Sequence, residues 1–111
     1  MTSTRLCALA DIPDGESTGL SIPDGDSWIS LLLVRRGSEV FIYRNRCPHE
    51  GDRMEHGRGK FLDQEGKNIL CASHGAVFRI EDGVCTEGPC EGERLIAFPA
   101  QIEGGSVFIE V

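Results

Sequence analysis

The chain is 111 residues long, 40% hydrophobic and 26% charged, with a formal net charge of −7 at pH 7. This is enough for one domain, residues 1–111, with a modest core, and the acidic balance argues against nucleic acid, whose phosphates it would repel. No stretch of about eighteen apolar residues occurs and the N-terminus carries no signal-peptide pattern, so no membrane span is expected and the cytoplasm is the expected location.

Arg5 to Ile12 is apolar with small residues and reads as a first strand. Two similar turns follow, Ile12-Pro13-Asp14-Gly15-Glu16 and Ile22-Pro23-Asp24-Gly25-Asp26, each with proline at the second position of a β-turn. Trp28 to Arg35 is a β-rich run, turned at Arg36-Gly37-Ser38, and Glu39 to Arg44 returns as its hairpin partner. Trp28 and Tyr43 read as core or rim residues. After Asn45 the alternation stops. Arg58 to Leu62 and Lys67 to Leu70 form a hairpin across Asp63-Gln64-Glu65-Gly66. Ala76 to Ile80 and Val84-Cys85 flank the turn Glu81-Asp82-Gly83, and Leu95 to Ile102 pairs with Val107 to Val111 over Gly104-Gly105. No segment of a dozen residues keeps helical periodicity without a glycine. The class is all-β: small packed antiparallel sheets, a partly open barrel or sandwich, with a loop-rich subdomain over about residues 45–80 at one end.

Two short runs in that subdomain carry chemistry. Cys47-Pro48-His49 and Cys71-Ala72-Ser73-His74 each supply one thiolate and one imidazole, separated by twenty-one residues. Residues two apart cannot share a helix face, so Cys47 and His49 need an extended or turned loop, which Pro48 stiffens. Gly51 and Gly75 follow the two histidines, where close backbone approach needs no Cβ. The order C-x-H…C-x-x-H departs from the usual zinc spacings, and two histidines in place of two cysteines mark a Rieske [2Fe-2S] centre, in which His and Cys pairs ligate different irons. Two other readings stay open on the residues alone. The four side chains could hold structural zinc in an interaction module without redox activity; or one Cys–His pair could be a nucleophile and its base, although two symmetric pairs are hard to justify for one nucleophile.

Five cysteines are an odd number, against a closed disulfide framework. Cys7, Cys85 and Cys90 then read as small apolar residues of a reducing compartment. A Cys85–Cys90 disulfide is within reach of the five-residue separation, but nothing in Gly88-Pro89 between them requires it.

Cys47-Pro48-His49-Glu50-Gly51, Cys71-Ala72-Ser73-His74-Gly75, Phe78-Arg79-Ile80-Glu81-Asp82-Gly83 and Gly88-Pro89 together resemble the Rieske-type ferredoxins, with Tyr43-Arg44-Asn45-Arg46 leading into the first loop. The resemblance covers essentially the whole chain. It implies one [2Fe-2S] cluster, with Cys47 and Cys71 on a buried iron and His49 and His74 on an outer iron near solvent. It also implies that Gly88-Pro89 belongs to a third loop covering the cluster. In function it implies a one-electron carrier without a substrate site of its own, taking electrons from a flavin-type reductase to a terminal oxygenase by transient docking near His49 and His74. The Rieske-like small subunit of a nitrite reductase is the related alternative. High-potential members carry an extra cysteine in each ligand loop, and a serine and a tyrosine after the second ligand pair. This chain has no such cysteines and has Ala76 and Val77 there, which places its potential toward the lower end of the roughly −150 to +300 mV Rieske span.

Overall fold

The computed structural model describes residues 3–48, 53–55, 57, 59–71 and 75–110. They form ten strands in three antiparallel sheets. The first sheet joins the two ends of the chain: β1 (Ser3–Ala8) pairs with β10 (Ser106–Glu110), which pairs with β9 (Ala100–Glu103). The second runs in the order β2 (Ser17–Asp24), β3 (Ser27–Arg36), β4 (Glu39–Arg44), β8 (Ala97–Phe98). The third is β5 (Asn68–Leu70), β6 (Val77–Arg79), β7 (Cys85–Glu87). The described strands close no barrel.

The all-β expectation holds, with several local differences. The first strand stops at Ala8, because Leu9–Asp11 turns as a single 3-10 turn in which the Asp11 carboxylate accepts the Ala8 N–H at 3.0 Å. Ile22 to Asp24 is strand and not turn: Asp24 pairs with Ser27, and the reversal is the two-residue loop Gly25-Asp26. Gly25 has φ +60°, the positive value a type II′ hairpin demands at its first position. Pro23 is tolerated because β2 lies at a sheet edge. The last expected strand is broken by Pro99: Ala97 and Phe98 pair with β4, and only β9 pairs with β10. The hairpin before Cys71 has a thinner first arm than expected, a single bridge from Leu62 to Ile69, and Arg58 lies outside the described residues.

Side chains alternate across a strand, and on β3 and β4 both faces are buried. Leu31, Leu33, Val40 and Ile42 point into a core with Ile12, Ile22, Val107 and Ile109. Leu32, Val34 and Tyr43 point the other way, into a second core with Met54, Phe61, Ile69, Phe78 and Ile80. The second core also contains Cys47 and Cys71, and it extends past residue 80 to Cys85, Cys90 and Leu95. Two ties hold the turn after β6 against the second sheet. The Tyr43 hydroxyl donates to the Ile80 carbonyl at 2.6 Å, and Arg36 pairs with Glu81.

Candidate metal centre

Two loops leave the sheets on the side of the second core. The first follows β4. Its amide at Asn45 donates to the Ser30 carbonyl (2.8 Å), the last rung before the chain departs. The Asn45 side chain then closes the loop: its Oδ1 accepts the Met54 N–H at 2.7 Å, while Nδ2 donates to Ser30 Oγ (3.2 Å) and Glu55 Oε1 (3.1 Å). Asn45 is only 4% exposed, so these bonds replace water. Arg53 holds Glu55 from outside, its Nε donating to Oε1 at 2.9 Å. Inside the closed loop stands Cys47, with its side chain 1% exposed.

The second loop follows β5. Leu70 N–H donates to the Phe61 carbonyl (2.8 Å), and Cys71 N–H to the Ala76 carbonyl (2.8 Å). Gly75 N–H donates back to the Cys71 carbonyl at 3.0 Å, so the loop is cinched at its base. Cys71 is fully buried. His49 and His74, as well as Glu50, Gly51 and His56, lie outside the described residues. The structure therefore places the two predicted thiol ligands and the bases of both loops.

A third loop, Gly88-Pro89-Cys90, lies directly on the second. A Cβ on Gly88 would stand 2.8 Å from the Cα of Ala76, and the glycine has φ +106°, so this approach excludes any other residue. The resemblance implied a covering loop at Gly88-Pro89, and the structure sets this segment against Ala76 at the base of the second loop. The loop is self-supported: Gly92 and Glu93 N–H groups donate to the Cys85 and Cys90 carbonyls at 3.0 and 2.9 Å.

None of the five cysteines forms a disulfide. Cys47 and Cys71 share one apolar core, and a soft metal fits them: thiolate is the ligating form, and a bound cation removes the cost of burying its charge. Cys85 and Cys90 are more than small apolar residues. Their sulfurs are 3.3 Å apart, and the Cys85 thiol donates to the Glu87 carbonyl at 3.1 Å. Burial pushes the Cys90 thiol up to about 12, helped by Cys85 and then by Cys47 beside it. Trp28 is no core residue at all, at 67% exposed, whereas Tyr43 is buried as expected.

Sequence reasoning missed two residues of the site. Asn45 was legible as a strand end, and an asparagine there is able to bond backbone a few residues on, but its partner at Met54 lies beyond the loop. The placing of Cys90 in the same core as Cys47 had no local signal, because forty-two residues separate them.

The centre has clear relatives. The chain is 28% identical over 111 residues to the 3-phenylpropionate/cinnamic acid dioxygenase ferredoxin subunit of Escherichia coli O157:H7, covering 100% of this chain and 95% of that protein. Its fold matches the Sphingomonas yanoikuyae B1 ferredoxin with TM-score 0.74 and 29% identity over 99% of each chain. It also matches a chain in the complex of reduced oxygenase and oxidized ferredoxin in carbazole 1,9a-dioxygenase, with TM-score 0.75 and 24% identity over 96% of this chain and 91% of that one. The family model of the Rieske [2Fe-2S] domain matches residues 2–101. With two loops closed at their bases, each burying a cysteine in one core beneath a third, the chain belongs to the Rieske [2Fe-2S] domain family and takes one [2Fe-2S] cluster.

Proposed function

We infer that the protein is a ferredoxin, a one-electron carrier between a flavin-type reductase and a terminal oxygenase. In this reading Cys47 and Cys71 hold one iron of the cluster, and His49 and His74 hold the other. The observation that carries it is the pair of loops: each is hydrogen-bonded shut at its base, and each delivers a buried cysteine to the same apolar core. When bound, the cluster supplies reversible one-electron exchange. The chain's own part is to hold it. Asn45 and the Cys71–Ala76 bond fix the loops, the third loop keeps water from the thiolate side, and the surrounding aliphatic side chains keep it dry.

Partner choice is supported by the relatives, which are ferredoxin subunits of dioxygenases and a ferredoxin in a complex with its oxygenase. Docking takes place near His49 and His74, through a weak interface that forms and dissolves at each transfer. The 111 residues act as one domain, with the cluster-binding part over about 45–80. Among the described residues no helix is long and apolar enough to cross a membrane. Five cysteines without a disulfide suit a reducing compartment, so we place the protein in the cytoplasm.

Electron paramagnetic resonance of the anaerobically purified, dithionite-reduced protein tests this. The expected result is a spin-one-half signal with the low average g of mixed histidine–cysteine ligation. Substituting Cys71→Ser or His74→Ala should abolish it. A colourless, silent protein with stoichiometric zinc would overturn the carrier, and an unchanged spectrum in either variant would overturn the ligand set.

A further inference from the structure

Among the described residues Trp28 is the most open of the large apolar side chains, at 67% exposed. A lone exposed apolar residue is ordinary on a protein surface, but this one has a particular place. Side chains two apart share a face of a strand, so Trp28 continues the row Ser30, Leu32, Val34. The last two of these pack in the core that contains Cys47 and Cys71. Ser30 is the residue to which the first cysteine loop is tied: its carbonyl accepts the Asn45 N–H at 2.8 Å and its Oγ accepts from Asn45 Nδ2 at 3.2 Å. Trp28 stands one pleat beyond that tie, about 7 Å along the strand from Ser30. Because β4 ends at Arg44, opposite Leu31, the β2–β3 hairpin runs on past it at the end where this loop leaves the sheet.

Trp28 has a companion there. It pairs across the hairpin with Pro23, which is also exposed, and directly opposed side chains lie on one face. The Gly25-Asp26 turn holds the two rings together, and a ring pair on a fixed turn loses little freedom when something seats on it. Asp24 and Asp26 flank the pair, both exposed and without an ion pair among the described residues. From Leu6 to Val34 the chain has no lysine or arginine. The cations at this end, Arg44 and Arg46, belong to β4 and the loop after it, so the hairpin is its acidic part.

We propose that the Pro23–Trp28 tip of the β2–β3 hairpin is the anchor by which this protein seats on its terminal oxygenase, the tryptophan ring taking an arginine or lysine side chain of the oxygenase while Asp24 and Asp26 hold its charge. The proposal deepens the carrier reading above and rests on it. An aromatic face with carboxylates beside it is complementary to a cation on an apolar surround, the ring through its quadrupole and the carboxylates through charge-assisted hydrogen bonds. Tryptophan and arginine are also the residue types in which binding energy concentrates. The oxygenase is the partner that the ferredoxin relatives serve, and one seated on this tip meets the first cysteine loop beside it.

The chain has a single tryptophan, so holo-protein labelled with 5-fluorotryptophan gives one fluorine resonance from this site. The probe is an unlabelled terminal oxygenase that the wild type reduces, and adding it should shift or broaden the line. In stopped flow, Trp28→Ala should raise the half-saturating concentration for electron transfer to that oxygenase about tenfold or more, and Trp28→Phe by less. Both variants should keep the cluster's visible spectrum and reduction potential. Asp26→Asn should weaken the salt dependence of transfer more than Glu39→Gln, a carboxylate at the opposite end of the same sheet. An unmoved fluorine line, unchanged half-saturation in Trp28→Ala, or an altered potential in that variant would each overturn the anchor. A line that responds to the reductase alone, or to the protein's own concentration, would assign the tip to the reductase or to a second copy and overturn it as well. A wild type without the Rieske spin-one-half signal, or one that reduces no terminal oxygenase, would defeat the carrier reading itself. A wild type that reduces the oxygenase no better than Trp28→Ala does defeats the anchor alone.

Discussion

Tyr43 does two jobs with one side chain. Its ring packs in the core that contains Cys47 and Cys71, and its hydroxyl reaches across to the Ile80 carbonyl in the turn after β6. Removing the hydroxyl in Tyr43→Phe leaves that buried carbonyl unsatisfied, at a cost of about 1–3 kcal/mol. Thermal unfolding of the holo-protein should register it. The same residue sets an alkaline limit. Burial, then the charges of Asp82 and Glu81, push the Tyr43 phenol up to about 12 from 10. The folded chain therefore holds the proton more tightly than the unfolded chain above pH 10, so this contribution is complete below pH 10 and is lost as the pH climbs toward 12. The melting temperature between pH 9 and about 12 should fall less steeply in Tyr43→Phe than in wild type. Parallel curves would mean that other groups govern the alkaline limb.

At the scale of elements, β3 and β4 separate two tasks by the parity of their residues. Leu32 and Leu33 are neighbours in sequence and both fully buried, so truncating either to alanine should cost about 2–5 kcal/mol. Only Leu32 belongs to the core that contains Cys47 and Cys71. Leu32→Ala should therefore speed bleaching of the cluster's visible absorbance at temperatures well below global unfolding, whereas Leu33→Ala should lower the unfolding transition and leave the rate of bleaching at low temperature close to wild type. Equal bleaching in the two variants would count against independent cores. The β3–β4 hairpin was legible because Val40-Phe41-Ile42-Tyr43, β-branched or aromatic throughout, follows an apolar run across a glycine turn. β2 was not, for a physical reason: Ser17-Thr18-Gly19 looks like loop, yet a Cβ on Gly19 would stand 3.2 Å from the Phe61 ring, and Ser17 Oγ donates to the Gly59 carbonyl at 3.0 Å. A residue chosen for what presses on it from forty positions away leaves no local pattern. The four ligand candidates were legible for the opposite reason, since their chemistry is written in two adjacent runs. Asn45, whose side chain closes the first loop on Met54, acts through a contact that only the fold creates.

The whole molecule carries seven net negative charges at pH 7. For a carrier that must meet two partners in turn, such a field speeds encounter with basic surfaces without lengthening the stay, because steering acts on association more than on the bound state. Electron transfer to the oxygenase, followed by stopped flow, should slow as ionic strength rises past about 0.15 M, where the screening length is about 8 Å. A rate indifferent to salt would mean that docking depends on apolar contact alone.

The closures at the loop bases bear on how the centre is built. The bonds from Met54 to Asn45 and from Cys71 to Ala76 run between protein atoms only, 2.7 and 2.8 Å long, and none of them needs iron. The entropy of bringing Asn45 to Met54 and Cys71 to Ala76 is thus met by bonds within the protein. A donor scaffold would then hand its cluster to two thiols, Cys47 and Cys71, that the fold already holds in one core.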